Sequence, residues 1–275
     1  MSAKIIAFAN QKGGVGKTTS CVNVSSAIAS LKKRVLLIDL DPQGNATMGC
    51  GFNKLDAKFT SGEVLQDKVS LLEAVVSVKQ FDLLPSNIDV TEAEVNLIKK
   101  VDRQYKLYSA IKNIIEQYDF IFIDCPPSLN ILTLNALIAA HSIIIPMQCE
   151  YYALEGLSSL MNTIEDINYL NKNLNKKLHI EGIIRTMYDV RNKLCQDVST
   201  QLIEYFGNLV YRTVIPRNIR LAEAPSYGMP ILLYDQNSKG AKAYCKLAKE
   251  LLKNNSIKKS KHYREHKEYK EQEFV

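Results

Sequence analysis

Asn10-Gln11-Lys12-Gly13-Gly14-Val15-Gly16-Lys17-Thr18-Thr19 joins an apolar, strand-sized run at 5–9 to a helix-period segment at 17–31. In an open parallel sheet, ligands bind where strands end and helices begin. Gly13, Gly14 and Gly16 let the backbone curl so that consecutive N–H groups can face phosphate oxygens. The helix N-terminus adds a favourable dipole. Lys17 brings a positive charge to the β and γ phosphates, and the Thr18 hydroxyl suits Mg²⁺. The strict phosphate-loop pattern has glycine five residues before Gly16, where this chain has Gln11. Lys12 follows it. A second cation at this place is costly unless phosphates neutralise it.

Outward from the loop, the pattern of a buried strand followed by a helix repeats. Strands are expected at 4–9, 35–39, 81–84, 120–124, 142–147, 180–186 and 210–215. Helices are expected at 17–31, 90–99, 106–115, 132–140, 154–170, 195–206 and 240–252. Strands that are apolar throughout are those buried on both faces of a parallel sheet. The fold class is therefore α/β, P-loop NTPase-like, with a mostly parallel twisted sheet and helices on both faces. Residues 42–80 are less regular and suggest loops and short helices. A single domain is expected over 1–254. The charged remainder, 255–275, suggests a frayed or flexible tail.

Hydrophobic residues make up 46% and charged residues 23% of the 275, which favours a large core over disorder. The six cysteines form no CxxC pair, so reduced thiols are expected rather than a disulfide or metal framework. No export signal or spanning run is visible, which points to a cytoplasmic protein. The net charge of +6 fits solubility or a polyanion partner.

Four motifs in order carry a family resemblance. The first is the loop from Lys12 to Thr19. The others are Arg34-Val-Leu-Leu-Ile-Asp-Leu-Asp-Pro-Gln-Gly-Asn45, Phe122-Ile-Asp-Cys-Pro-Pro-Ser128 and Ile215-Pro-Arg-Asn-Ile-Arg-Leu-Ala-Glu-Ala-Pro-Ser-Tyr-Gly228. Together they resemble the ParA/MinD ATPases with a deviant Walker A box, and the ParA/Soj branch most closely. The resemblance implies a slow, Mg²⁺-dependent ATPase that binds ATP through Lys12, Gly13, Gly14, Val15, Gly16, Lys17, Thr18 and Thr19. It implies that Asp41 positions the attacking water. Asp39 and Asp124 would reach Mg²⁺ through water, with Thr18 as direct ligand. Pro216 and Asn218 would frame adenine. Lys12 would cross to the phosphates of a second subunit and make an ATP-dependent homodimer, as an arginine finger acts in trans. Arg191 and Arg220 would bind double-stranded DNA without sequence preference, at the nucleoid, until a ParB/Spo0J-type partner stimulates hydrolysis.

Three other readings share parts of this pattern. A MinD-like membrane regulator needs a terminal amphipathic helix, and residues 258–267 have no apolar face. An electron-transfer ATPase needs cluster cysteines, and Cys125 has no suitable companion. A cargo-positioning ATPase shares the whole mechanism. Because the loop starts at residue 10, an N-terminal helix-turn-helix domain is not expected.

Overall fold

The computed structural model describes the backbone of residues 2–151 and 153–272, and leaves the side chains of 154, 155, 173 and 257–272 undescribed. Seven strands form one sheet: β1 (Lys4–Phe8), β2 (Val35–Asp39), β3 (Val76–Ser77), β4 (Asp82–Leu84), β5 (Phe120–Asp124), β6 (Ser142–Gln148) and β7 (His179–Thr186). Their order is β3-β4-β2-β5-β1-β6-β7. Every pairing is parallel except β3 with β4. The chain winds first to one side of β1 and later to the other. The crevice at the carboxyl end of β1 is thus a topological switch point, where α/β sheets place ligands.

Both faces of the sheet are covered, and the strand pleat sorts the core into two layers. Ile5 and Ala7 of β1 join Leu36, Ile38, Ile121 and Ile123 on one face. Ile6 and Phe8 join Leu37, Phe122 and Ile144 on the other. The first face is closed by helices Ile131–Ala139, Ala153–Leu170 and Lys193–Phe206. The second is closed by Lys17–Ser30 and the first part of Lys239–Gln272. Successive residues of one strand alternate between these layers, so an unbroken apolar strand is what the architecture requires.

The expected strand at 210–215 does not form. Its backbone meets that of β7 at the Ile183–Val210 bridge, with Tyr211 N to Ile183 O at 3.0 Å and Ile215 N to Arg185 O at 2.9 Å. Between those points side chains take the backbone groups. Glu250 accepts from the amides of Arg212 and Thr213, at 2.7 and 3.0 Å. Arg185 donates to the carbonyls of Tyr211 and Arg212, at 2.8 and 3.2 Å. Apolar periodicity at 210–215 carries no sign of these competitors.

Two further differences concern ends. Residues 76–77 add an antiparallel edge strand where only loops and short helices were expected. The last helix runs over Lys239–Gln272 rather than stopping near residue 252. The charged segment expected as a frayed or flexible tail is thus helical in its backbone to residue 272, and the side chains of 257–272 and all of 273–275 lie outside the described residues.

Candidate functional site

The phosphate loop connects β1 to helix Lys17–Ser30, as its sequence requires. Gly14 and Gly16 have φ of 73° and 83°. These left-handed values cost a residue with a Cβ roughly 1–2 kcal/mol. Helix Lys17–Ser30 has no side-chain cap on its first turn, and Gly16 stands at its N-cap. Its leading amides therefore remain available to an anion. The loop is held by its neighbours: Thr186 Oγ1 donates to Val15 O (2.8 Å), and Asn10 Nδ2 donates to Pro146 O (2.8 Å).

Lys17 is nearly buried and donates from Nζ to Lys12 O at 3.1 Å. Burial pulls its ammonium below the usual lysine range, while Asp124 and other nearby negative groups oppose that shift. Lys12 points elsewhere. Its half-exposed ammonium pairs with Glu150, just past the end of β6. Sequence reasoning named Lys12 but missed Glu150, whose only signal was a charge where an apolar strand ends.

Two adjacent strands deliver the buried carboxylates. Asp39 ends β2 and Asp124 ends β5, and the two are register partners on adjacent strands. Phe8, at the end of β1, is the partner of Asp124 on its other side. Both carboxylates are fully buried. Asp39 Oδ1 accepts from Asp41 N (3.1 Å), and Oδ2 accepts from Thr47 N and Thr47 Oγ1 (both 2.8 Å). Burial still raises its carboxyl to about 6, against those hydrogen bonds and with a small push from Asp41.

Asp124 is the harsher case. Neither of its oxygens reaches a hydrogen-bond partner at good geometry among the described residues. Burial and then the Asp39 charge drive its carboxyl well above the ordinary range, and the neighbouring Thr18 hydroxyl and Lys17 only partly offset this. A buried, unpaired carboxylate beside a second carboxylate is expensive for the protein alone. Oxygen donors crowded in this way suit a hard divalent cation. The donor set of Thr18, Asp39 and Asp124 therefore fits Mg²⁺. Asp41 is nearly buried, and its Oδ1 accepts from Gln43 N at 2.9 Å.

A cleft of about 180 Å³ opens beside the loop, lined among others by Gly16, Met187, Pro216, Asn218 and Tyr244. Pro216 is bridged to Tyr188 after β7, which fixes the turn against the sheet. Asn218 caps helix Ile219–Glu223, with Oδ1 accepting from Leu221 N at 3.2 Å. That leaves its amide Nδ2 as the donor for a ligand in the cleft. Pro216 and Asn218 are thus at the same cleft as Gly16 and Thr19, which the sequence could not show.

Arg191 and Arg220 are not brought into the phosphate site. Both are exposed, and each is held by a carboxylate. Arg191 grips Asp189 through Nε (3.0 Å) and a terminal nitrogen (2.9 Å). That contact holds the Asp189 carboxyl near 2, with a smaller effect from Arg217. Arg220 pairs with Glu223 at 2.9 Å and lies 3.7 Å from Asp235. Arg191, Arg217 and Arg220 thus flank the turn that lines the cleft. All six cysteines are free thiols. Among the described residues no helix is long and apolar enough to cross a membrane.

Comparison with known proteins fits this geometry. Residues 3–180 match the model of the AAA domain family AAA_31. The sporulation initiation inhibitor protein Soj of Bacillus subtilis is 49% identical over 253 residues, covering 91% of this chain and 99% of that protein. The chromosome partitioning protein ParA of Caulobacter vibrioides is 44% identical over 253 residues, covering 90% and 94%. Among solved structures, cobyrinic acid a,c-diamide synthase from Mycobacterium smegmatis with bound ADP and magnesium aligns with a TM-score of 0.79. It is 35% identical, over 92% of this chain and 96% of that one.

Proposed function

The chain belongs to the ParA/Soj family of P-loop partitioning ATPases, and we propose that it is a DNA-partitioning switch driven by Mg-ATP. One observation carries the ATPase reading. The ends of three adjacent strands bring together a left-handed glycine loop, a buried lysine and two buried carboxylates, one of them with no hydrogen-bond partner at good geometry among the described residues. Such a cluster is costly until a polyphosphate and a divalent cation complete it. The relative named for chromosome partitioning, at 44% identity, favours DNA cargo over the amide-forming chemistry in the name of the structural neighbour.

Placement in the fold and the family resemblance together support the following roles. The loop amides, Lys17 and Thr19 hold phosphate. Thr18, with Asp39 and Asp124 behind it, holds Mg²⁺. When bound, the ion neutralises charge that builds on the phosphoryl oxygens. Asp41, two residues past Asp39 and near enough to act on the Lys17 charge, orients the attacking water. Pro216 and Asn218 receive adenine. Lys12 exchanges Glu150 for the phosphates of a second subunit, so ATP joins two copies. Binding that exists only in the dimer pulls the equilibrium toward it by mass action.

The dimer then presents Arg191 and Arg220 from both subunits to DNA phosphates. Such contacts carry no sequence information and weaken steeply with salt. A ParB/Spo0J-type protein stimulates the slow hydrolysis and releases the dimer from the nucleoid. We take 1–254 as a single ATPase domain that performs all these steps. The test is phosphate release with Mg²⁺ or with EDTA, each with and without double-stranded DNA and a ParB-type peptide. The expectation is slow Mg²⁺-dependent turnover, raised at least several-fold when both are present. Turnover that ignores Mg²⁺ would count against the site. A MinD-like action predicts binding to anionic vesicles instead.

A further inference from the structure

Asp39 and Asp41 belong to a loop whose footing comes from a different strand. Leu84 of β4 lies beside Ile38 of β2, so the chains leaving these two strands run together. Two hydroxyl residues tie them. Thr47 Oγ1 donates to Asp39 Oδ2 at 2.8 Å and accepts from Ser86 N at 2.9 Å. Ser86 Oγ donates to Asp41 O at 2.7 Å. Both Thr47 and Ser86 are fully buried.

The valences fix the direction of this chain. A backbone N–H can only donate, so Ser86 N uses a lone pair of the Thr47 hydroxyl. The Thr47 proton is then committed to Asp39. The same carboxylate oxygen also receives Thr47 N. Ser86 therefore acts on both aspartates: on the side chain of Asp39 through Thr47, and on the backbone of Asp41 directly. Gly44 completes the contact. Its φ is +62°, and a Cβ there would stand 2.5 Å from Ser86 O, so the two backbones already touch.

We propose that Thr47 and Ser86 are positioning residues for hydrolysis: a hydroxyl pair that fixes the Asp39–Asp41 loop relative to the phosphate loop. This rests on the ATPase reading above and adds residues to it. Neither residue lies in the phosphate loop or the adenine cleft, so their loss should act on turnover rather than on nucleotide affinity. A displacement of about 1 Å at a reacting group can cost on the order of a hundredfold in rate.

The test uses the full chain with Thr47→Val, Thr47→Ser and Ser86→Ala. Valine keeps the shape of threonine and removes the hydroxyl. Intrinsic kcat should fall at least tenfold in Thr47→Val, and in the same direction but less in Ser86→Ala. The Kd for a fluorescent ATP analogue should stay within about threefold. Thr47→Ser, which restores the hydroxyl, should return kcat to within about twofold of the parent. Without nucleotide, the amides of Asp41, of 43–47 and of Ser86 should exchange hydrogen faster in Thr47→Val. Unchanged kcat in Thr47→Val, equal losses in Thr47→Ser and Thr47→Val, or a parallel loss of nucleotide affinity would overturn the proposal. Absence of Mg²⁺-dependent turnover in the parent chain would instead overturn the ATPase reading.

Discussion

Asp39 and Asp124 are register partners with opposite surroundings: Asp39 accepts three hydrogen bonds, and Asp124 accepts none at good geometry among the described residues. Both are fully buried, so the donors around Asp39 lower the cost of its charge and nothing comparable protects Asp124. Replacing Asp124 with Asn removes the unpaired charge and keeps the shape. The Asp124→Asn chain should be more stable without metal by about 1 kcal/mol or more, and should lose at least tenfold in Mg²⁺-dependent hydrolysis. Urea unfolding in EDTA, beside an ATPase assay, reads both. A less stable variant would show that Asp124 has a protein partner after all.

Lys12 is held by Glu150, outside its own phosphate loop, while Lys17 points into it. Lys12→Ala should therefore bind ATP with nearly unchanged affinity and fail to dimerise on it. Sedimentation with Mg-ATP and a fluorescent nucleotide titration separate these effects. Lys17→Ala should lose nucleotide binding itself, by at least a hundredfold. A Lys12→Ala chain that dimerises normally would remove the trans role.

The loop around β1, the alternating strands and the two aspartates were legible in sequence because their signals are local. Glycine spacing, apolar runs and charges at strand ends all report on their own neighbourhood. The segment 210–215 misled because its amides go to Glu250, far along the chain. Glu150, Thr47 and Ser86 escaped notice for the same reason. A serine two residues past a short strand looks like a turn until the fold sets it beside Asp41. Asn218 was found from its motif, but its division between helix cap and cleft needed the backbone.

Arg191 and Arg220 keep carboxylate partners in the free protein, so in the proposed role DNA phosphates would compete with Asp189 and Glu223. Both pairs are exposed, and exposed pairs contribute little. Changing either arginine to Ala should weaken DNA binding several-fold at low salt and reduce the slope of log K against log salt by about 1 per subunit. Glu223→Gln should do the reverse and tighten binding. Fluorescence anisotropy on a double-stranded oligonucleotide at several salt concentrations decides this. An unchanged slope in both arginine variants would place the DNA surface elsewhere.

His141 gives the fold a pH dependence away from the site. Its Nδ1 accepts the amide proton of Ile5 at 3.0 Å, which requires a neutral ring. Burial, aided by Lys176 and Lys4, holds its pKa at about 4. The unfolded value is near 6.5, so the unfolded chain binds the proton first as pH falls. This contribution is present in full above about 6.5 and is lost as pH falls toward 4, by up to roughly 3 kcal/mol. His141→Asn, which can still accept from Ile5, should flatten the loss between pH 6.5 and 4 relative to the parent in urea unfolding. Parallel curves for the two proteins would show that the ring is not buried neutral.

The measurement that bears most directly on the switch is sedimentation of Asp41→Ala with Mg-ATP, paired with its phosphate release. The variant should bind ATP, hydrolyse it at least tenfold more slowly than the parent, and remain a dimer long after the parent has returned to monomer. Hydrolysis at the parental rate, or a nucleotide-bound variant that stays monomeric, would contradict the account.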